Sequence, residues 1–211
     1  MKRILLMIAI VCLAVTPASA ALFQNGSFEN GSNPPVSGFS TLAAGSTDIT
    51  GWTVGGSGVD WVGTYWQASQ GTTKSIDLSS TSIGWISQSF STTPNTAYRL
   101  SFDMAGNPEG GSGVSKIKNM LVTVGGNNGA FETFSFDTTG KTTTSMGWAN
   151  HSFVFTALSG QTTLTFMSLE PSAYGPAIDN VNVATVPIPP AVWLLGTGLV
   201  GLVAIRRKRT K

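Results

Sequence analysis

Tyr98-Arg99-Leu100-Ser101-Phe102-Asp103-Met104 places large apolar side chains at every second position, with polar side chains between them. That two-residue period is the signature of a strand with one buried and one solvated face. Thr163-Leu164-Thr165-Phe166 repeats it in a shorter form. Working outward, further strand candidates cover residues 22–29, 51–54, 59–62, 75–78, 85–90, 117–124, 130–136, 150–156 and 177–183. Turn chemistry separates them: Asn33-Pro34-Pro35, Gly55-Gly56-Ser57-Gly58, Asn107-Pro108-Glu109-Gly110-Gly111, Gly125-Gly126-Asn127-Asn128-Gly129 and Thr138-Thr139-Gly140. No long helical period occurs between residues 21 and 185, and charged residues make up only 10% of the chain. Ten or so short strands in one domain point to an all-β fold, a β-sandwich of the jelly-roll kind.

The two ends read differently from the body. Residues 1–20 open on Lys2-Arg3, continue as an apolar run and finish Ala18-Ser19-Ala20, the pattern of a secretory signal peptide cut after Ala20. The single cysteine, Cys12, falls inside that segment, so the mature body has no disulfide. Residues 191–205 are uncharged and end directly on Arg206-Arg207-Lys208-Arg209, with Lys211 closing the chain. As a helix this run is about 22 Å long, a marginal membrane span whose basic end stays cytoplasmic. Once both ends are set aside, residues 21–186 hold five cations and all ten carboxylates, near −5. Such a balance argues against nucleic acid as a partner.

The tail also carries a resemblance. A proline-containing opening (Pro187-Ile188-Pro189), Trp193-Leu194-Leu195-Gly196, a glycine-spaced apolar run and the terminal basic cluster with Arg206 and Arg207 resemble a PEP-CTERM sorting signal. Ile188 stands where that family usually has glutamate. The resemblance implies processing by an exosortase. It also implies export to the envelope, outer surface or extracellular matrix of a Gram-negative bacterium, with transient anchoring in the inner membrane.

Within the body, Asn25-Gly26-Ser27-Phe28-Glu29, Gly51-Trp52-Thr53-Val54, Val59-Asp60-Trp61-Val62, Tyr65-Trp66-Gln67-Ala68-Ser69-Gln70-Gly71 and Ile178-Asp179-Asn180-Val181 occur in that order. The set resembles the choice-of-anchor C family, relatives of the DUF642 domains of plant cell walls. It implies a galactose-binding-like jelly roll associated with polysaccharide or matrix. In similar carbohydrate-binding jelly rolls the opening and closing acids commonly hold a structural calcium. Here these would be Glu29 and Asp179, and oxygens around Ser27 and Asn25 could complete the six to eight that Ca²⁺ wants. The alternative is that Glu29 is a turn residue and Asp179 merely starts a strand.

Two further constellations concern ligands. Trp61, Tyr65 and Trp66 could stack on the C–H faces of sugar rings while Asp60, Gln67 and Asp77 bond hydroxyls. Large aromatics also fill cores, and Trp52 and Trp85 are read that way. His151, the only histidine, cannot anchor a multi-histidine zinc site and reads as an ordinary strand residue. Glycoside hydrolysis needs two facing carboxylates, and no spacing among the ten singles out a pair. The expectation is therefore a non-enzymatic exported protein that binds or organises extracellular polysaccharide or a cell-surface glycan. Two alternatives are an adhesive surface protein whose partners are proteins and a polysaccharide hydrolase.

Overall fold

A computed structural model describes residues 22–125 and 129–187. The eleven strands are β1 (Phe39–Leu42), β2 (Thr53–Gly56), β3 (Val59–Val62), β4 (Ser75–Asp77), β5 (Gly84–Ser91), β6 (Ala97–Gly106), β7 (Ile117–Val124), β8 (Ala130–Asp137), β9 (Ala149–Thr156), β10 (Gln161–Ser168) and β11 (Pro176–Thr185). They form two antiparallel sheets, ordered β1-β3-β4-β11-β6-β9 and β2-β5-β10-β7-β8. The sheets pack face to face as a jelly-roll sandwich, with no helix among the described residues.

The alternation that opens the sequence reading explains the packing. Tyr98, Leu100, Phe102 and Met104 of β6 point inward, as do Leu164 and Phe166 of β10 and Met120, Val122 and Val124 of β7. Phe102 meets Phe166 and Phe134 edge to face, at centroid distances of 5.2 and 5.0 Å. Fully burying each such side chain contributes roughly 1.5–3 kcal/mol. Lys118 shares the inward parity of β7 and is buried against Gly106 and Thr138. Its ammonium has no hydrogen-bond partner among the described residues, and burial pulls its pKa down. His151 is the strand residue its sequence suggests, with its ring packed on Phe102 and Phe134.

Two elements depart from the sequence reading. Residues 22–29 are not a strand, because Asn25 and Phe28 take positive φ (52° and 57°) and curl the backbone into a turn. The segment still lies against β11. Val181 N–H donates to the Gly26 carbonyl at 2.9 Å, and any side chain on Gly26 would overlap the Val181 carbonyl. Strand β1 has no counterpart in the sequence reading. It is a four-residue edge strand whose Phe39 faces outward, so no apolar alternation announces it.

Candidate functional site

Register on the six-stranded sheet creates the site. Trp61 pairs with Ile76, and both side chains enter the core. Their neighbours must then face the other way, and Asp60 of β3 comes directly opposite Asp77 of β4 on the outer face. One strand step further along the same face, Asp179 of β11 comes opposite Asp103 of β6, which is itself opposite Asn150 of β9. The sheet thus carries two cross-strand pairs of like charge, an arrangement that is destabilising unless something compensates it. The 63–74 loop, which joins β3 to β4, borders both.

The second pair is closed by donors from that loop and from a bulge. Asp103 accepts hydrogen bonds from Ser69 Oγ (2.6 Å), Asn180 Nδ2 (2.8 Å) and Asn150 Nδ2 (2.9 Å), which outweigh burial and hold its carboxyl below the usual range. Asp179 accepts from Thr72 Oγ1 (2.6 Å) and from the Asn180 backbone, yet burial pushes it up to about 7. Asn180 sits at φ 49° where the β11 register shifts, and this bulge turns its amide toward Asp103 and the Gln70 carbonyl. Glu29 grips the end of the same loop. Its Oε1 accepts Thr73 N and Lys74 N at 2.6 and 2.9 Å, and its Oε2 accepts Thr73 Oγ1 and Lys74 Nζ at 2.5 and 3.2 Å. Those bonds lower its pKa despite the desolvation that opposes them. Glu29 and Asp179, the expected metal residues, thus converge on residues 72–74. Ser27 lies half-buried in the neighbouring turn.

The first pair opens onto a cleft of about 260 Å³. Thr41, Asp60, Val62 and Asp77 line its floor, and Phe39, Tyr65, Trp66, Asn107, Glu109 and Tyr174 are among the groups around it. Asp77 is 1% exposed and pushed up to about 8, chiefly by burial and further by the Asp60 charge. It is nevertheless well held, since Ser79 N (3.0 Å) and Gly175 N (3.2 Å) donate to Oδ1 and Asn107 Nδ2 (2.9 Å) to Oδ2. Asp60 differs. It is 9% exposed, raised by burial, and its one hydrogen bond among the described residues is from Thr41 Oγ1 to Oδ1 at 2.7 Å.

The aromatic walls are set by local bonds. Tyr65 donates its hydroxyl to Glu109, which pushes the phenol up to about 12, and its ring meets Phe39 edge to face at 5.1 Å. Trp66 is 5% exposed, its indole N–H donating to Ser75 Oγ at 2.8 Å. Tyr65 and Phe39 are 36% and 46% exposed, leaving ring surface open to a ligand.

Not every expected ligand residue reaches the cleft. Trp61 is wholly buried, with its indole N–H donating to the Phe28 carbonyl at 2.9 Å, so it offers no face to a sugar. Gln67 is turned away to hold the 143–148 segment. Its Oε1 accepts Met146 N at 3.0 Å and its carbonyl accepts Trp148 Nε1 at 2.8 Å. Trp52 is core, as expected, while Trp85 is half-buried and lies flat over Gly55 on the other sheet. Phe39, Asn107, Glu109 and Tyr174 join the cleft without a sequence signal, because they arrive from distant loops and an edge strand. Pro187 is exposed; Pro189, Arg206, Arg207, the rest of the sorting tail and the signal peptide lie outside the described residues.

Residues 21–184 match the family model described as "Protein of unknown function (DUF642)". Over 175 residues, 81% of this chain, it is 35% identical to Halomucin of Haloquadratum walsbyi (strain DSM 16790 / HBSQ001), and it spans only 2% of that protein's length. Among solved structures it is similar to TmCBM61 in complex with beta-1,4-galactotriose, at 18% identity and a TM-score of 0.46, covering 80% of this chain and 100% of that one. It is also similar to a family 35 carbohydrate binding module from Clostridium thermocellum, at 17% identity and a TM-score of 0.45, covering 70% and 99%.

Proposed function

The chain belongs to the DUF642 family, and from that premise we propose that it is an exported, non-catalytic protein of the cell envelope that binds extracellular polysaccharide through the cleft above Asp60. The observation that carries this is the side-by-side placement of open aromatic rings, Tyr65 and Phe39, with an under-bonded acceptor, Asp60, in one concavity. Sugar rings need that combination: C–H faces stack on aromatic rings while hydroxyls donate to a carboxylate. Binding of the full chain to a glycan array, followed by calorimetry on the best ligand, tests it. Tyr65→Ala is expected to weaken binding about tenfold or more, which corresponds to about 1.4 kcal/mol. No affinity for any glycan overturns the proposal and favours a protein partner.

Asp60 and Asp77 are two neighbouring carboxyl groups in one cleft, the residue types that a hydrolase would use. Asp77 argues against turnover. It is buried, and both its oxygens are already engaged by Ser79, Gly175 and Asn107. Release of reducing ends from a bound polysaccharide would restore the hydrolase reading.

Calcium is part of the proposal. The donor set would be two carboxylates with oxygens of the loop end: Glu29 bonds residues 73 and 74, and Asp179 bonds Thr72. No cluster of three or more acid, histidine or cysteine ligands occurs among the described residues. A cation would restore the charge that burial suppresses on Asp179. Ser27 would contribute from the adjacent turn. The Lys74 ammonium now stands beside Glu29 at 3.2 Å and would give way. A melting temperature that rises with calcium and falls with chelator supports this. One indifferent to both leaves Lys74 as the sole counter-charge.

Export through residues 1–20 and sorting of the 187–211 tail by an exosortase complete the reading. A mature N-terminus at Ala21, and loss of the tail only where an exosortase is present, are the expected results.

A further inference from the structure

We infer that the saccharide held in the cleft carries a free amino group, so that the ligand is an amino sugar with a cationic nitrogen seated against Asp60 and the ring face of Tyr65. This rests on the glycan-binding reading and narrows it. The cleft is lined by three carboxylates, Asp60, Asp77 and Glu109, and by no lysine, arginine or histidine. Glu109 has the Tyr65 hydroxyl as partner, and Asp77 has three donors. Among the described residues Asp60 has only the Thr41 hydroxyl, on one oxygen, although the residue is nine-tenths buried. The cation whose field reaches Asp77 is Lys118, and it is enclosed in the core outside the lining.

Each ligand class meets this environment differently. A uronic acid would bring a further carboxylate beside Asp60 and Glu109, with no cation in the lining to receive it. A neutral sugar would give Asp60 hydroxyl donors but no counter-charge, a weaker compensation for a carboxylate it covers. An ammonium supplies the missing charge and three donors. The rings of Tyr65, Phe39 and Tyr174 line the same cleft, and an ammonium over an aromatic face gains further attraction. The second acid pair on the same sheet shows the contrast, since Asp103 is saturated by three side-chain donors and needs nothing from outside.

The test is calorimetry on the full chain with short, fully deacetylated chito-oligosaccharides, their N-acetylated counterparts, oligogalacturonates and neutral galacto-oligosaccharides. Deacetylated oligomers are expected to bind at least about tenfold more tightly than acetylated ones, and oligogalacturonates not at all. Asp60→Asn should erase that preference while leaving the acetylated ligand's affinity within a few-fold. Glu132→Gln, an exposed acid on the other sheet, should change nothing. An equal loss in both variants would mean general attraction to an acidic surface and overturns the inference. Binding of neutral sugars with no amine preference, or preferred binding of uronates, overturns it and leaves glycan binding standing. Failure of all four ligands, with none bound on a wider array, overturns both.

Discussion

Two pairs of aspartates sit one strand step apart on the same sheet face, Asp60 opposite Asp77 and Asp103 opposite Asp179. They have identical chemistry and opposite fates. Around Asp103 and Asp179 the protein supplies its own donors, Ser69, Thr72, Asn150 and the Asn180 of a bulge, and the 63–74 loop is fastened down. Around Asp60 the same loop supplies aromatic walls and no donor, and the carboxylate is left facing a cleft. A buried acid whose bonds are all made within the chain is a structural fastener. One that is buried but under-bonded beside open rings is built for a group from outside.

The largest test of that division is Trp61, which stands between β3's acid and the core. Trp61→Ala removes a wholly buried indole and its bond to the Phe28 carbonyl, and should cost about 3–5 kcal/mol of stability. A variant that keeps its unfolding midpoint in denaturant but loses its glycan would return Trp61 to the ligand. Glu29→Ala comes next. It strips four bonds from residues 73 and 74 and should cost about 2 kcal/mol. Because Tyr65 and Trp66 lie on the same loop, ligand affinity should fall with it, with no change in the groups that touch the sugar. Unchanged affinity in a destabilised Glu29→Ala protein would mean that the two halves of the loop are independent.

The division was only half legible in the sequence. β6 was plain because one of its faces is solvated and the other is core, so its residues alternate cleanly from Tyr98 to Met104. Residues 22–29 read as a strand because nothing in their apolar content reveals that Asn25 and Phe28 curl the chain. Asp60 and Tyr65 were found, since composition marks them locally. Trp61 shares their aromatic and acidic stretch, but adjacent residues of one strand face opposite sides, so Asp60 and Trp61 cannot both meet a ligand. That parity was the available signal. Asn107, Glu109 and Tyr174 had none, because loop closure brings them in from β6's far end and from the approach to β11. The opposition of Asp60 to Asp77 is likewise a matter of register across a twelve-residue connection, which the acids' positions do not specify.

The smallest effect separates the individual acids by pH. Burial raises Asp77 to about 8, Asp179 to about 7, and Asp60 above its ordinary value, whereas donors hold Asp103 and Glu29 below theirs. A raised acid binds its proton more tightly in the folded chain. Its stabilising contribution is therefore complete below the unfolded value near 4 and is lost as pH climbs through the folded value. A lowered acid does the reverse: its contribution is present above the unfolded value and is lost as pH falls through the lowered one. Asp77 and Asp179, both raised, carry the loss between about pH 5 and 8, so the melting temperature should drop across that window by roughly 5 °C. Asp77→Asn should make the slope shallower and end it near pH 7, whatever its own melting temperature, because it removes the group that titrates highest and leaves Asp179. Asp103→Asn should leave the slope between pH 5 and 8 in place and soften only the loss of stability on the acid side. A protein that grows steadily more stable from pH 5 to 8, or a slope untouched by Asp77→Asn, would show that Asp77 is charged at rest and held no differently from Asp103.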